Sequence, residues 1–256
     1  MISDLLRRGP GDTPRYGLID AIRGFAIVNM IVCHLLYDLF CVYSLNTQYA
    51  YSPAVMIWEQ SIGACFFIIS GISIRFSQHG YRRGLIALLG AFVITVLTLI
   101  FVPSELIWFG ALHFLGCAIL ITFALRHVLK KIHPLAGAVV SLLLFAILYG
   151  VPKGYLGFFG ARIVSLPASL YSSPYLAVIG LPSGGFHSAD YYPLVPWLFL
   201  YLFGFFLWEI IRENVRDDLL RMRVPVLSFI GRHSFVIYML HQPLIFGVCY
   251  LIFGRF

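Results

Sequence analysis

Four ionisable residues interrupt the first apolar run of the chain: Asp20, Arg23, His34 and Asp38. Such side chains are costly inside a bilayer, so they face a protein interior or a water-filled passage and mark function. On a helical wheel they fall at about 0°, −60°, −40° and 0°, while Asn29 falls near 180°. The four share one narrow stripe, which predicts a face packed against other helices and excludes contact with lipid. Arg23 and His34 are eleven residues apart. That separation is about 16 Å along the axis at 1.5 Å per residue, so Arg23 lies near one membrane surface and His34 beyond the midplane. Asp38 follows His34 at i+4, within reach of the imidazole, where it would fix the tautomer and stabilise the imidazolium. A base with its orienter is what general-base catalysis requires, at roughly 10²- to 10⁴-fold in rate.

Further polar groups gather at the level of His34. Glu59 opens the second apolar run, His113 lies in the far half of the fourth, and Asp190, Tyr191 and Tyr192 begin the sixth. Together they describe a polar pocket opening outward. His241 precedes Gln242 and Pro243, where the proline frees a backbone carbonyl for His or Gln to satisfy. At the opposite level, Arg15, Arg23, Arg75, Arg82 and Arg83 flank the first two runs. Basic residues there are topology signals first, yet such a cluster also suits the phosphates of a bulky anionic donor. No HExxH pair supports a metal, and no GxGxxG or GxxxxGK[ST] loop supports a nucleotide fold. The five cysteines, Cys33, Cys41, Cys65, Cys117 and Cys249, lie in apolar segments without CxxC spacing and read as small hydrophobes.

The elements that position these groups follow from composition. Of 256 residues, 60% are hydrophobic and 11% charged, against roughly 25% charged in a soluble domain. One membrane domain spanning 1–256 is expected, built as an all-α bundle of about seven helices over roughly 18–43, 54–75, 84–102, 105–126, 134–150, 191–211 and 233–253. Fifteen of the eighteen Lys and Arg residues fall on one side, leaving Lys153, Arg162 and Arg255 on the other. That asymmetry predicts a cytoplasmic N-terminus and an extracytoplasmic C-terminus. The first run is too long for a cleaved signal peptide and reads as a retained helix. The net charge of +7 sits in clusters between apolar runs, which fits topology and gives no reason to expect nucleic acid. The stretch 151–190 is an extracytoplasmic loop too apolar to be a disordered linker; Leu156 to Leu170 is expected as an amphipathic surface segment, and Pro182, Gly184 and Gly185 as a turn. A transporter using His34, Asp38 and His113 as a proton relay is the rival reading, against which the lack of internal repeats argues.

The run Asp20-Ala-Ile-Arg23-Gly24-Phe-Ala26, with His34 eleven residues after the arginine, resembles the opening helix of membrane acyltransferases. With FFIISGISI, ALHFLGCAILI, YYPLVPWLFLYLFG and YMLHQP, the chain is similar over essentially its whole length to small bacterial members of the heparan-α-glucosaminide N-acetyltransferase-like family. The resemblance implies acyl transfer across a bacterial cytoplasmic membrane, with an acyl-CoA such as acetyl-CoA as donor substrate, no tightly bound cofactor, and an amine or hydroxyl of an extracytoplasmic glycan as acceptor. His34 then matches the superfamily's first-helix histidine, and Asp20 and Arg23 its Asp-x-x-Arg pair. On that resemblance Asp20, Arg23, Arg75 and Arg82 are expected on the donor side, Glu59, Asp190 and Tyr192 on the acceptor side, and His113 with His34 and Asp38 in catalysis. The stretch 44–53, where the lysosomal enzyme of that name carries its histidine, contains none. Membrane lipid is the remaining expected partner, and a homo-oligomer is compatible with the sequence.

Overall fold

The computed structural model describes residues 16–43, 45, 46, 48, 49, 52–158 and 161–254. Arg7, Arg8, Arg15 and Arg255, used above to orient the chain, lie outside the described residues. The helices are α1 (Gly17–Tyr37), α2 (Pro53–Arg75), α3 (Gly80–Phe101), α4 (Ala111–Leu129), α5 (Pro134–Leu148), α6 (Leu194–Asn214), α7 (Asp217–Arg221), α8 (Pro225–Arg232) and α9 (Ser234–Phe253). Among the described residues seven spans are long and apolar enough to cross a membrane, and each overlaps one predicted run. The protein is therefore an all-α, multi-pass integral membrane protein. Prolines at the first positions of α2, α5 and α8 set three of the starts, where the absent N–H forfeits no helical hydrogen bond. The fourth run starts later than expected, at Ala111, because Pro103–Glu105 forms a 3₁₀ turn ahead of it.

Helix contact in a bilayer depends on close packing, which small residues permit. A Cβ on Gly231 of α8 would stand 1.7 Å from the Asp20 carbonyl oxygen, and one on Gly24 of α1 would stand 2.0 Å from that of Leu227. The backbones of α1 and α8 therefore touch. Gly71 of α2 and Gly204 of α6 serve the second crossing, where a Cβ would meet the Tyr201 and Ile68 carbonyl oxygens at 2.0 and 2.2 Å. Around these contacts α1, α2, α4, α3 and α9 are neighbours in cyclic order, while α6 packs on α2 and carries α5 on its far side. An aromatic cluster fills the space between α2, α4 and α6: Phe67 lies 4.4 Å from Phe114, 5.0 Å from Tyr192 and 5.4 Å from Trp197, centroid to centroid. The latter two are edge-on contacts, as the ring quadrupoles favour.

The expected amphipathic segment from Leu156 is instead a hairpin, β1 (Tyr155–Phe158) against β2 (Ala161–Ser165), antiparallel with an irregularity at Leu156 and Gly157. Tyr155 tucks its ring beside Gly150, where a Cβ would stand 2.3 Å from it, and this fixes the hairpin to the end of α5. The residues following are 3₁₀ turns, and Gly184–Gly185 is a turn as expected. Successive spans alternate in direction. Lys153 and Arg162 accordingly lie at the hairpin end of the bundle, and the other described Lys and Arg residues at the opposite, basic end.

Candidate active site

The α1 stripe faces protein along its length: Asp20 is buried, and Asp38 completely so. Its two ends are built differently. At the basic end Arg23 donates to Asp20 at 2.9 Å and to Ser73 Oγ of α2 at 2.7 Å. Arg75 donates through Nε to Glu209 of α6 at 2.9 Å and lies over the Phe205 ring at 4.5 Å. Arg82 is exposed on the first turn of α3. Of the expected donor-side group, Asp20, Arg23 and Arg75 are thus engaged within the bundle, and Arg82 faces outward.

Towards the hairpin end, His34 Nδ1 bonds the Met30 carbonyl at 2.9 Å, and His241 Nδ1 of α9 bonds that of Tyr238 at 2.6 Å. A carbonyl oxygen only accepts, so each Nδ1 carries a proton and each Nε2 keeps its lone pair while the ring is neutral. The two rings lie 4.9 Å apart. The expected Asp38 contact to the His34 imidazole is not formed: Gln242 Nε2 donates to both Asp38 oxygens, at 3.1 and 2.9 Å. Asp38 keeps the i+4 register, its N–H still on the His34 carbonyl, but the His34 ring is anchored one turn back on Met30 and Gln242 of α9 takes the carboxylate; the π turn over Asp38–Val42 begins only there. The carbonyl that Pro243 frees is that of Met239, so neither His241 nor Gln242 uses it, contrary to expectation.

His113 also departs from its expected company. Its Nε2 lies 3.4 Å from Thr95 Oγ1 of α3, and its ring stacks on Phe109. Thr95 already gives its hydroxyl proton to the Ile107 carbonyl at 2.8 Å, so Nε2–H is the donor in the His113 contact. The helix pairing of α3 with α4 turns His113 towards α3, and His34 meets His241 instead.

Of the acceptor-side residues, Asp190 and Tyr192 pack against the start of α4 and the side of α2, while Glu59 is exposed on α2. Asp190 accepts the Ala111 N–H at 2.8 Å, at the start of α4, where unpaired N–H groups favour an anion. Gly110 leaves room for the carboxylate, since a Cβ there would stand 2.5 Å from Asp190 Oδ2. Loss of water pushes the Asp190 carboxyl up to about 6; the Ala111 N–H opposes this and the charge of Glu59 adds to it. Tyr192 lies with its hydroxyl over Gly63, one turn along α2 from Glu59. Burial raises that hydroxyl well above its ordinary value, and Asp190 and Glu59 raise it further. The loop is stitched to the start of α4 by Ala189 N–H to Leu106 O at 3.0 Å and Tyr192 N–H to Phe109 O at 3.2 Å. Among the described residues no three His, Cys, Asp or Glu side chains gather as metal ligands do.

The His34 and His241 rings side by side between membrane-spanning helices, with ion-paired arginines at one end of the bundle and Asp190 at the other, define an integral membrane protein with a polar interior. The sequence model of the heparan-alpha-glucosaminide N-acetyltransferase catalytic family matches residues 15–243. The chain belongs to that family, which makes it a membrane transferase of the acetyltransferase type. No curated protein and no solved structure matches it. The match takes in both histidines of the pair. What sequence reasoning missed is the partnership of α9 with α1; the signal available was the polar dipeptide His241-Gln242 in an apolar run, facing another polar pair of i+4 spacing.

Proposed function

We propose that the protein is an O- or N-acyltransferase of the bacterial inner membrane that moves an acyl group, acetyl in the simplest case, from cytoplasmic acyl-CoA to an extracytoplasmic glycan. The observation that carries this reading is the His34 imidazole, anchored through Nδ1 and with no hydrogen bond to Nε2 among the described residues, in a chain of an acetyltransferase family. His34 Nε2 takes the proton of an acceptor hydroxyl or amine, whose lone pair attacks the thioester carbonyl. The C–S bond then breaks and CoA leaves as the thiolate, which takes up the proton given back by the His34 imidazolium, while the acceptor becomes an ester or amide. Asp38 acts through Gln242, holding α9 against α1 at the level of His34. His113, Glu59, Asp190 and Tyr192 shape the acceptor side.

Asp20, Arg23, Arg75 and Arg82 form the donor side. Arg82 is the guanidinium open to a phosphate, and the ion pairs of Arg23 and Arg75 keep the mouth in shape. The basic end is cytoplasmic on this reading, as the distribution of Lys and Arg favours. The test is reconstitution in proteoliposomes with acetyl-CoA facing the basic end and a glucosamine oligosaccharide on the other side. Acetylated oligosaccharide and free CoA thiol are expected together. Proton-coupled solute flux with neither transfer nor acyl-CoA hydrolysis would overturn the reading in favour of a transporter.

A further inference from the structure

We infer that His241 is a positioning residue for the transfer, the neutral imidazole that holds the proton His34 removes from the acceptor. This rests on the acyltransferase reading above. The ring of His241 is buried, it lies 4.9 Å from that of His34, and its Nε2 has no hydrogen-bond partner among the described residues. Its Nδ1 is fixed on the Tyr238 carbonyl, as that of His34 is fixed on Met30. In each ring the nitrogen left over is the one that accepts. When His34 takes a proton it becomes an imidazolium inside the membrane, and its expected carboxylate partner, Asp38, is held by Gln242. His241 Nε2 is then the adjacent lone pair able to accept a hydrogen bond from that N–H. One proton comes to be shared by two rings, and a second is opposed by like charge at short range in a medium of low dielectric.

The titratable groups around the pair are Asp38 and Tyr37 on α1, Tyr238 on α9, Glu59 on α2, and Asp190 and Glu105 on the loops. Tyr37 is engaged with Glu105, and the Tyr238 ring lies tilted against that of His241, 5.5 Å away.

The experiment compares His241→Gln, His241→Phe and His34→Gln in the transfer assay with acetyl-CoA, measuring kcat, KM and the pH profile of kcat on protein matched for folded content. With His241→Phe, which keeps a ring and loses the acceptor, kcat falls about 10- to 100-fold with both KM values unchanged. The acid limb of its profile moves to lower pH, because the His34 imidazolium has lost its partner. His241→Gln, whose amide oxygen still accepts, falls between wild type and His241→Phe. A curved proton inventory for the wild-type enzyme in mixed H₂O and D₂O, reporting two protons in flight, supports the assignment without any variant, and a linear one overturns it. Wild-type kcat and pH profile in His241→Phe, or a change in folded yield alone, also overturn it. Activity in His34→Gln would instead remove the reading on which the inference rests, so the two failures are distinguishable.

Discussion

The two ends of the α1 stripe hold similar numbers of polar groups and use them in opposite ways. At the basic end cations meet anions: Arg23 with Asp20, Arg75 with Glu209. Towards the hairpin end the described partners are neutral: carbonyls for His34 and His241, a carboxamide for Asp38. Among the described residues, buried atoms without hydrogen bonds occur at both ends, but Arg75 Nη1 at the basic end is a donor, whereas His241 Nε2 and Gln242 Oε1 here are acceptors with spare lone pairs. Closed ion pairs hold helices together but have little left to offer a reactant. Spare lone pairs in a buried setting carry a cost to stability and are what proton-transfer chemistry needs. The comparison teaches which half of the stripe is built for shape and which for reaction.

Arg75→Ala should produce the largest stability loss, because it strips the half-buried Glu209 of its close partner and leaves Arg212, more distant at 3.6 Å and 60% exposed. Breaking a buried pair on one side costs about 3–5 kcal/mol, to be read as a fall in thermal midpoint in detergent. The double change Arg75→Met with Glu209→Leu should recover most of it, and no recovery would show that the pair does not act as a unit. Gln242→Ala is next, at about 1–3 kcal/mol, since it leaves the buried Asp38 carboxylate without its donor. It should also slow transfer, which Arg75→Met with Glu209→Leu should affect less.

The smallest effect concerns pH. The Asp190 carboxyl is raised to about 6 in the folded protein, so its protonated form is the one that folding favours. The resulting stability is fully present below about pH 4, the unfolded value, and is lost as pH rises through 6. Wild type should therefore lose about 1 kcal/mol relative to Asp190→Asn between pH 4 and pH 7, given partial exposure of the site. Parallel melting curves across that range would contradict the assignment.

Much of this was legible in the sequence because a bilayer permits few backbones. Seven apolar runs of the right length could hardly be anything but spans, and even the short fifth run became α5. The single-face placement of Asp20, Arg23, His34 and Asp38 follows from a 100° step, and burial of Asp20 and Asp38 bears it out. What the step could not deliver was partner choice. The His34 ring is anchored one turn back on Met30 and Gln242 of α9 takes both Asp38 oxygens, so the i+4 spacing brings no contact. The pairing of α1 with α9 joins residues more than two hundred positions apart, and a wheel drawn for one helix carries no information on its neighbours. The hairpin at Tyr155 was missed for a related reason: a short run of apolar residues with one Arg fits a surface helix or a strand equally well.

The most direct test of the central claim is the rate of acetyl transfer by His34→Gln relative to wild type, with folded content matched by thermal melting in the same detergent. If the Nε2 lone pair of His34 removes the acceptor proton, the rate falls by roughly 10²- to 10⁴-fold while the melting curve stays in place. A His34→Gln protein that transfers acetyl at the wild-type rate contradicts it.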